Sequence, residues 1–382
     1  MSAEDVIYLD HNATTPLAPQ VLAAMLPFLT EAHGNPSSPH APGRRAAEAV
    51  AVAREQVAGL IGASPAEIFF TSGGTESNNL ALRGSAAAAS GDRRRIVTST
   101  VEHPATVQPL AHLGSHGWTV TTVGVTSDGH LDLPAFHAAL GADVGLVTVM
   151  LAQNETGAVM PLTKVAAAAR AAGSIVHTDA AQAVGKIAVD VDELGVDLLS
   201  IAGHKLYAPK GIGALYVRTD TPLAPVLRGA GQEHGIRPGT ENVAGIVGLG
   251  AASALARADL REEAARTAEL RDQLELRLRA AVPTLARLTP RRGSLPNTLL
   301  VVFPHVAGWD LLEACPTLAA ATGSACHSGV HRPSEAVLSM GLEPSAARGA
   351  VRLSLGRGTS EEHVEAAAAA LLDAYHGLAA RR

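Results

Sequence analysis

From about residue 65 to 217, short apolar runs rich in β-branched residues alternate with stretches of helical composition, which predicts a mainly parallel sheet covered by helices. The candidate strands are Ile68–Thr71, Ile96–Thr100, Thr119–Val123, Gly145–Met150, Ser174–Thr178, Leu198–Ile201 and Ala214–Val217. Polar residues gather where these runs end, at Thr71-Ser72-Gly73-Gly74-Thr75, His103, Asn154, Asp179 and His204-Lys205. Ligands of open α/β sheets bind beside the carboxyl ends of the strands, so a site is expected along this edge. Farther on, Leu270, Leu274 and Leu278 recur at four-residue spacing in an alanine- and charge-rich stretch and predict a helix from about Leu260 to Ala281. A second domain is expected beyond it, with strands Thr298–Val302 and Val351–Ser354, a cysteine-bearing segment between them and a closing helix Glu361–His376.

Composition narrows the class. The 382 residues can bury a large core, and 47% hydrophobic with 17% charged residues is ordinary for a globular chain. A net charge of −6 argues against a nucleic-acid partner, and the run Arg93-Arg94-Arg95, directly before Ile96, reads as a solvated strand entrance. The N-terminus has Glu4 and Asp5 with no basic leader, and apolar runs such as Val144–Ala152 are too short to span a bilayer, so a soluble cytoplasmic protein is expected. Only two cysteines occur, Cys315 and Cys326, which excludes a disulfide framework and any four-cysteine metal centre.

Three places carry chemistry. The glycines of Thr71–Ser77 let backbone N–H groups approach an anion, and Thr75 adds a hydroxyl where a helix dipole favours phosphate; a plain glycine-containing helix cap is the competing reading. Asp179 and Lys205 each follow a buried-type strand and can face one cleft, where a carboxylate holds a pyridinium nitrogen protonated and an amine condenses with an aldehyde. Either residue alone reads equally as a surface ion-pair member. Cys326 lies among small polar residues, Gly323-Ser-Ala-Cys-His-Ser-Gly329, that suit an exposed loop, with His327 and His331 as candidates to lower its thiol pKa. Cys326, His327 and His331 also suggest a metal site, but no fourth ligand is in view. Cys315, between Ala314 and Pro316, reads as a packed small hydrophobe.

The chain resembles the cysteine desulfurase and selenocysteine lyase family of fold type I pyridoxal-phosphate enzymes. Matching stretches run nearly end to end: Tyr8-Leu-Asp-His-Asn-Ala-Thr-Thr-Pro16, Gly34-Asn-Pro-Ser-Ser38, Thr71-Ser-Gly-Gly-Thr-Glu-Ser-Asn-Asn79, Glu102-His103, Asn154-Glu-Thr-Gly157, His177-Thr-Asp-Ala-Ala-Gln182, Gly203-His-Lys205, Pro209-Lys-Gly-Ile-Gly213, Gly231-Gln-Glu233, Arg237-Pro-Gly-Thr-Glu-Asn242, Gly323-Ser-Ala-Cys326 and Arg352-Leu-Ser-Leu-Gly-Arg357.

The resemblance implies an aminotransferase-like α/β fold with a mainly parallel seven-stranded sheet in a large domain, 16–250. A smaller α+β domain, 1–15 and 251–382, would carry the cysteine loop. It implies pyridoxal 5'-phosphate as cofactor, Lys205 as its Schiff-base lysine and Asp179 as partner of the ring nitrogen. His103 would stack on the ring and assist proton transfer, with Gln182 and Asn154 near the ring hydroxyl. Gly74, Thr75 and His204 would hold the phosphate, with Thr240 supplied by the second subunit of a homodimer. Arg352, aided by Asn154, would clamp the substrate carboxylate, and Cys326 would receive the sulfur. The chain departs from the family at Ala202, where many members have a phosphate-holding serine; Ser200, Thr75 and backbone N–H groups are the expected compensation. L-cysteine is the expected substrate and a protein such as an iron–sulfur scaffold or a thiolation enzyme the expected acceptor. L-selenocysteine, in a selenocysteine lyase, is the nearest alternative, since Ala325-Cys-His-Ser328 and Arg237–Asn242 resemble that subgroup as well. A catalytically idle, cofactor-binding scaffold is the alternative of another class.

Overall fold

The computed structural model describes residues 6–89, 91–322 and 333–380. Cys326, His327 and His331 lie outside the described residues.

In chain order the strands are β1 (Ile7–Tyr8), β2 (Ile68–Thr71), β3 (Arg95–Ser99), β4 (Thr119–Val123), β5 (Val144–Thr148), β6 (Ile175–Asp179), β7 (Leu198–Ala202), β8 (Gly213–Val217), β9 (Ala286–Arg287), β10 (Thr298–Val302), β11 (Leu318–Ala319) and β12 (Ala350–Ser354). Seven of them form one sheet in the order β2-β8-β7-β6-β5-β3-β4, in which β8 runs antiparallel to both neighbours and the other pairs are parallel. The strands β5 to β7 are buried almost throughout because helices cover both faces, the usual state of a parallel sheet. The chain winds outward from β3 to β4 and then returns across β3 to β5, so the direction of winding reverses between β3 and β5. A reversal of that kind opens a crevice at the carboxyl ends.

The expected helix Leu260–Ala281 is the second half of a longer one, Val243–Ala281, capped by the Asn242 side chain, which accepts from the Gly245 N–H. Its first half lacks the leucine spacing because it is buried on several sides among small residues. A Cβ at Gly250 would come within 2.6 Å of the Ala53 Cα on the helix Ala41–Ile61, so only glycine permits that approach. Ile246, Leu249, Ala252 and Ala256 sit in the core under the large sheet, whereas Leu270, Leu274 and Leu278 belong to a second core with Leu9, Val351, Leu353 and Leu371. The helix therefore passes straight through residue 250, where the domain boundary is expected. One stretch of it is long and apolar enough to cross a membrane by composition, but half of that stretch is buried inside the protein.

The second core is covered by the sheet β12-β10-β9 and the helix Glu361–Ala379. Cys315 is packed there, 2% exposed, with its thiol on the Ala370 carbonyl. The N-terminal segment joins the same unit, with β1 pairing β11 and Asp10 bridging Ser354. The arginine run caps the opposite edge of the large sheet: Arg93 donates to the carbonyls of Val144 and Ala172, and Arg95 forms a two-pronged pair with Asp143.

Candidate active site

At the carboxyl edge of the large sheet lies a cavity of about 440 Å³, within the range that holds a small cofactor. Gly74, Thr75, His103, Asn154, Asp179, Gln182, His204, Lys205 and Arg352 all line it. Residues up to 278 positions apart are thus brought to one place by the ends of β2, β3, β5, β6, β7 and β12.

Lys205 closes the 3-10 turn Gly203–Lys205 that follows β7. Its Nζ donates to the carbonyls of Asn12, at 2.6 Å, and Ala13, at 2.7 Å. Burial, and then the Arg352 guanidinium, draw its pKa down to about 8, with Asp179 and Asp10 pulling the other way. Asp179 ends β6 and is 7% exposed; Oδ2 accepts from Asn78 Nδ2 at 2.7 Å and Oδ1 from the Ala181 N–H at 3.0 Å. A carboxylate so held presents a fixed negative charge to the cavity.

His103 caps the helix Pro104–Gly114, its Nδ1 accepting from the Ala105 N–H, which leaves the proton of the neutral ring on Nε2. Burial lowers its basicity. The residue before it, Glu102, is buried and accepts from Ser99 Oγ and the Met150 N–H, tying the end of β3 to the end of β5 across the crevice. Burial pushes the Glu102 carboxyl up to about 8, against the opposing pull of the bonds from Ser99 and Met150.

Arg352, on β12, donates from Nη1 to the Asn154 carbonyl at 3.0 Å and from Nη2 to Asp10 Oδ1 at 2.6 Å. Its Nε is buried without a hydrogen-bond partner among the described residues. A buried charged donor without an acceptor is costly.

The anion end is formed by the helix Gly74–Ala88, whose N-terminus points its free N–H groups at the cavity beside Thr75 and His204. Gly73 takes φ +147°, a conformation that L side chains rarely adopt, and so lets the strand turn directly into this helix. Ala202 packs there, its Cβ 3.2 Å from where a Gly74 Cβ would stand.

Two expected members stand apart. Ser200 is fully buried, bonded through Oγ to His177 Nε2 at 3.0 Å, and is not among the residues that line the cavity. It shares a strand face with Ala202. Thr240 is exposed and does not line its own chain's cavity.

Several lining or supporting residues were given no role by sequence reasoning. Asn12 is 1% exposed and uses every polar atom it has, Asn78 holds Asp179, and the partly buried Lys186 donates to Gln182. Asn12 and Asn78 lie within the quoted motifs, which was the available signal; Lys186 had none. A second cavity of about 880 Å³ adjoins the first, sharing His103 and Asn154 and bordered by Glu155, Pro333 and Ser334.

The donor set fits pyridoxal phosphate: helix N–H groups for its phosphate, a fixed carboxylate for its ring nitrogen and an amine of lowered pKa for its aldehyde. The aminotransferase class-V family model matches residues 7–367. A cysteine desulfurase from Nostoc sp. is 44% identical over 362 residues, covering 94% of this chain and 90% of the relative. A solved structure described as a NifS-like protein superposes with a TM-score of 0.90 at 35% identity, covering 98% of this chain and 99% of that one. Another, described as SspA in complex with cysteine, gives 0.80 at 33% identity, over 91% and 98%. The chain belongs to the aminotransferase class-V family of fold type I pyridoxal-phosphate enzymes, in its group of NifS-like cysteine desulfurases.

Proposed function

We propose that the protein is a cysteine desulfurase that converts L-cysteine to L-alanine and leaves the sulfur as a persulfide on Cys326. The observation that carries this reading is the convergence of Lys205, Asp179, His103 and Arg352 on one cavity beside a helix N-terminus. Bound there, pyridoxal phosphate supplies an aldehyde that condenses with amines and a protonated ring that draws electrons from the adjoining carbon. Asp179 holds the proton on that ring nitrogen. Gly74, Thr75, His204 and the helix N–H groups bind the phosphate, with Thr240 of the partner subunit completing the cradle. Gln182 and Asn154 border the ring hydroxyl. Lys205 binds the aldehyde and, when displaced by the substrate amine, takes the Cα proton. His103 stacks on the ring and moves a proton from Nε2.

Arg352, which lines the cavity, orients the substrate through its carboxylate by two parallel charge-assisted bonds from the guanidinium. Lysine has a single point charge and no such fork. Arg352→Lys is therefore expected to raise KM for L-cysteine by roughly 30-fold, the loss of one charge-assisted bond of about 2 kcal/mol, with a smaller effect on kcat. Steady-state kinetics that leave KM unchanged refute the clamp.

Cys326 attacks the substrate sulfur as a thiolate. The S–S bond forms as the C–S bond breaks, its electron pair remaining on Cβ, which takes up the proton the Cys326 thiol gave up, and the proton held by Lys205 returns to Cα to give alanine. Support comes from the flanks of the cysteine segment: Ala321 pairs with Arg352, and Pro333 borders the larger cavity beside His103.

The decisive assay is alanine and sulfide formation from L-cysteine with a reductant, run beside L-selenocysteine. A kcat/KM ratio strongly in favour of L-selenocysteine makes the protein a selenocysteine lyase instead, and silence on both leaves a cofactor-binding scaffold. A protein acceptor, such as an iron–sulfur scaffold or a thiolation enzyme, takes the persulfide sulfur, and a cytoplasmic setting suits a thiol that must stay reduced.

Lysine capture of the aldehyde requires the neutral amine. With a pKa of about 8, roughly a quarter of Lys205 is neutral at pH 7.5, against about a thousandth for an unperturbed lysine. The rate at which cofactor-free protein takes up pyridoxal phosphate should climb through pH 8 and level off above it; a rate still rising tenfold per unit at pH 9.5 contradicts this.

A homodimer is supported by the helix Pro19–Thr30, which exposes Leu22, Leu26 and Leu29 along one side, 47 to 61% accessible. Light scattering is expected to give twice the chain mass and Leu26→Glu to lower it; a monomeric parent rules the dimer out.

A further inference from the structure

The chain has only four lysines among its thirty basic residues, Lys164, Lys186, Lys205 and Lys210. A sequence that uses arginine almost everywhere has kept a lysine at position 186, next to the site, where the mechanism above gives it no task. Its surroundings are unusual. The side chain is partly buried, and among the described residues no lysine is paired with a carboxylate. Its charged neighbours are Lys205 and Arg352, both positive, which together with burial pull its pKa well down. What holds it are two amide oxygens, Gln182 Oε1 at 2.6 Å and Asn12 Oδ1 at 2.9 Å.

Those two bonds close a ring. Gln182 Nε2 donates to the Asn12 backbone carbonyl at 2.9 Å, and that same carbonyl accepts from Lys205 Nζ at 2.6 Å. An amide has one oxygen and one nitrogen, so by claiming the oxygen of Gln182, Lys186 decides that the nitrogen faces Asn12. By claiming Asn12 Oδ1, shared with Asn297 at 3.2 Å, it turns Asn12 Nδ2 toward Thr298 and the Asn154 carbonyl. Asn12 is thereby fixed in side chain and backbone, and its carbonyl is the rest position of the Lys205 amine. Arginine, planar and larger, cannot place one donor atom between two amides at this depth.

We propose that Lys186 is a positioning residue for Lys205, acting through Gln182 and Asn12 to hold the carbonyl on which the Lys205 amine rests whenever it is not engaged with the cofactor. The proposal rests on Lys205 being the amine that takes the aldehyde.

The test is stopped-flow capture of pyridoxal phosphate by the cofactor-free full-length protein, followed by its absorbance from pH 6.5 to 10 for the parent, Lys186→Met, Asn12→Ala and the double variant. Loss of the ring is expected to lower the high-pH plateau rate about tenfold in each single variant, and the double variant is expected to be no slower than the slower single. A plateau equal to the parent's, with only the pH midpoint moved, means that Lys186 acts by charge alone and overturns the proposal, as do strictly multiplicative losses in the double variant. Circular dichroism and thermal melting establish folding. Should Lys186→Met not fold, Lys186→Gln, which keeps one donor in the ring, is expected to lose about threefold on the plateau, and parent-like behaviour there counts equally against the idea. Lys205→Ala in the same assay separates the two claims: covalent capture that survives it removes the underlying reading of Lys205, whatever Lys186 does.

Discussion

Lys205→Ala is expected to fold, to bind pyridoxal phosphate only reversibly, and to release alanine from L-cysteine at least about 10⁴-fold more slowly than the parent, because one change removes both a covalent anchor and a proton carrier. Folding should survive because the Lys205 ammonium is itself a burden: it is largely buried beside Arg352, and its pKa is already depressed. The Asn12 carbonyl keeps its bond from Gln182, so only the Ala13 carbonyl loses its partner. The experiment is gel filtration of the loaded variant, followed by absorbance. Cofactor that stays with the protein after borohydride reduction and denaturation would place the covalent link elsewhere.

Cys326→Ser is expected to separate the two halves of the reaction. Cofactor uptake and its dependence on pH should match the parent, while sulfide from L-cysteine falls by about 10³-fold or more, a hydroxyl being a far weaker nucleophile toward sulfur. Mass spectrometry of the parent after substrate should show one added sulfur on the peptide containing Cys326 and none on Cys315, whose thiol is packed in the second core and raised in pKa by burial. Persulfide on Cys315 would undo the assignment. Retained turnover on L-selenocysteine alone is compatible with a selenol that leaves without help.

The large sheet was readable because most of its strands are short, buried, β-branched-rich runs between turn signals, and the polar residues at the ends of those runs had to lie along one edge. Asp179, Lys205 and His103 were legible for that reason. Alternation tells which face of a strand a residue occupies but not how deep it lies: Ser200 and Ala202 share a face, and only Ala202 lines the cavity. Asn12 and Lys186 were beyond sequence reasoning of this kind. The bonds that define them join residues 170 positions apart, from Asn12 to Gln182, or 342 apart, from Asn12 to Ser354, and neither residue sits in a periodic element. The first half of the helix Val243–Ala281 was missed because a segment buried on several sides carries no stripe.

The position of Asn12 also sets the order in which the enzyme can be completed. Its N–H needs Ser354 and its side chain needs Asn297 and Thr298, residues made hundreds of peptide bonds later. During synthesis the large sheet can assemble, and Lys205 can emerge, well before those partners leave the ribosome. A nascent chain therefore passes through a period in which its reactive amine exists without its docking carbonyl, and vitamin B6 is best acquired only at the close of translation.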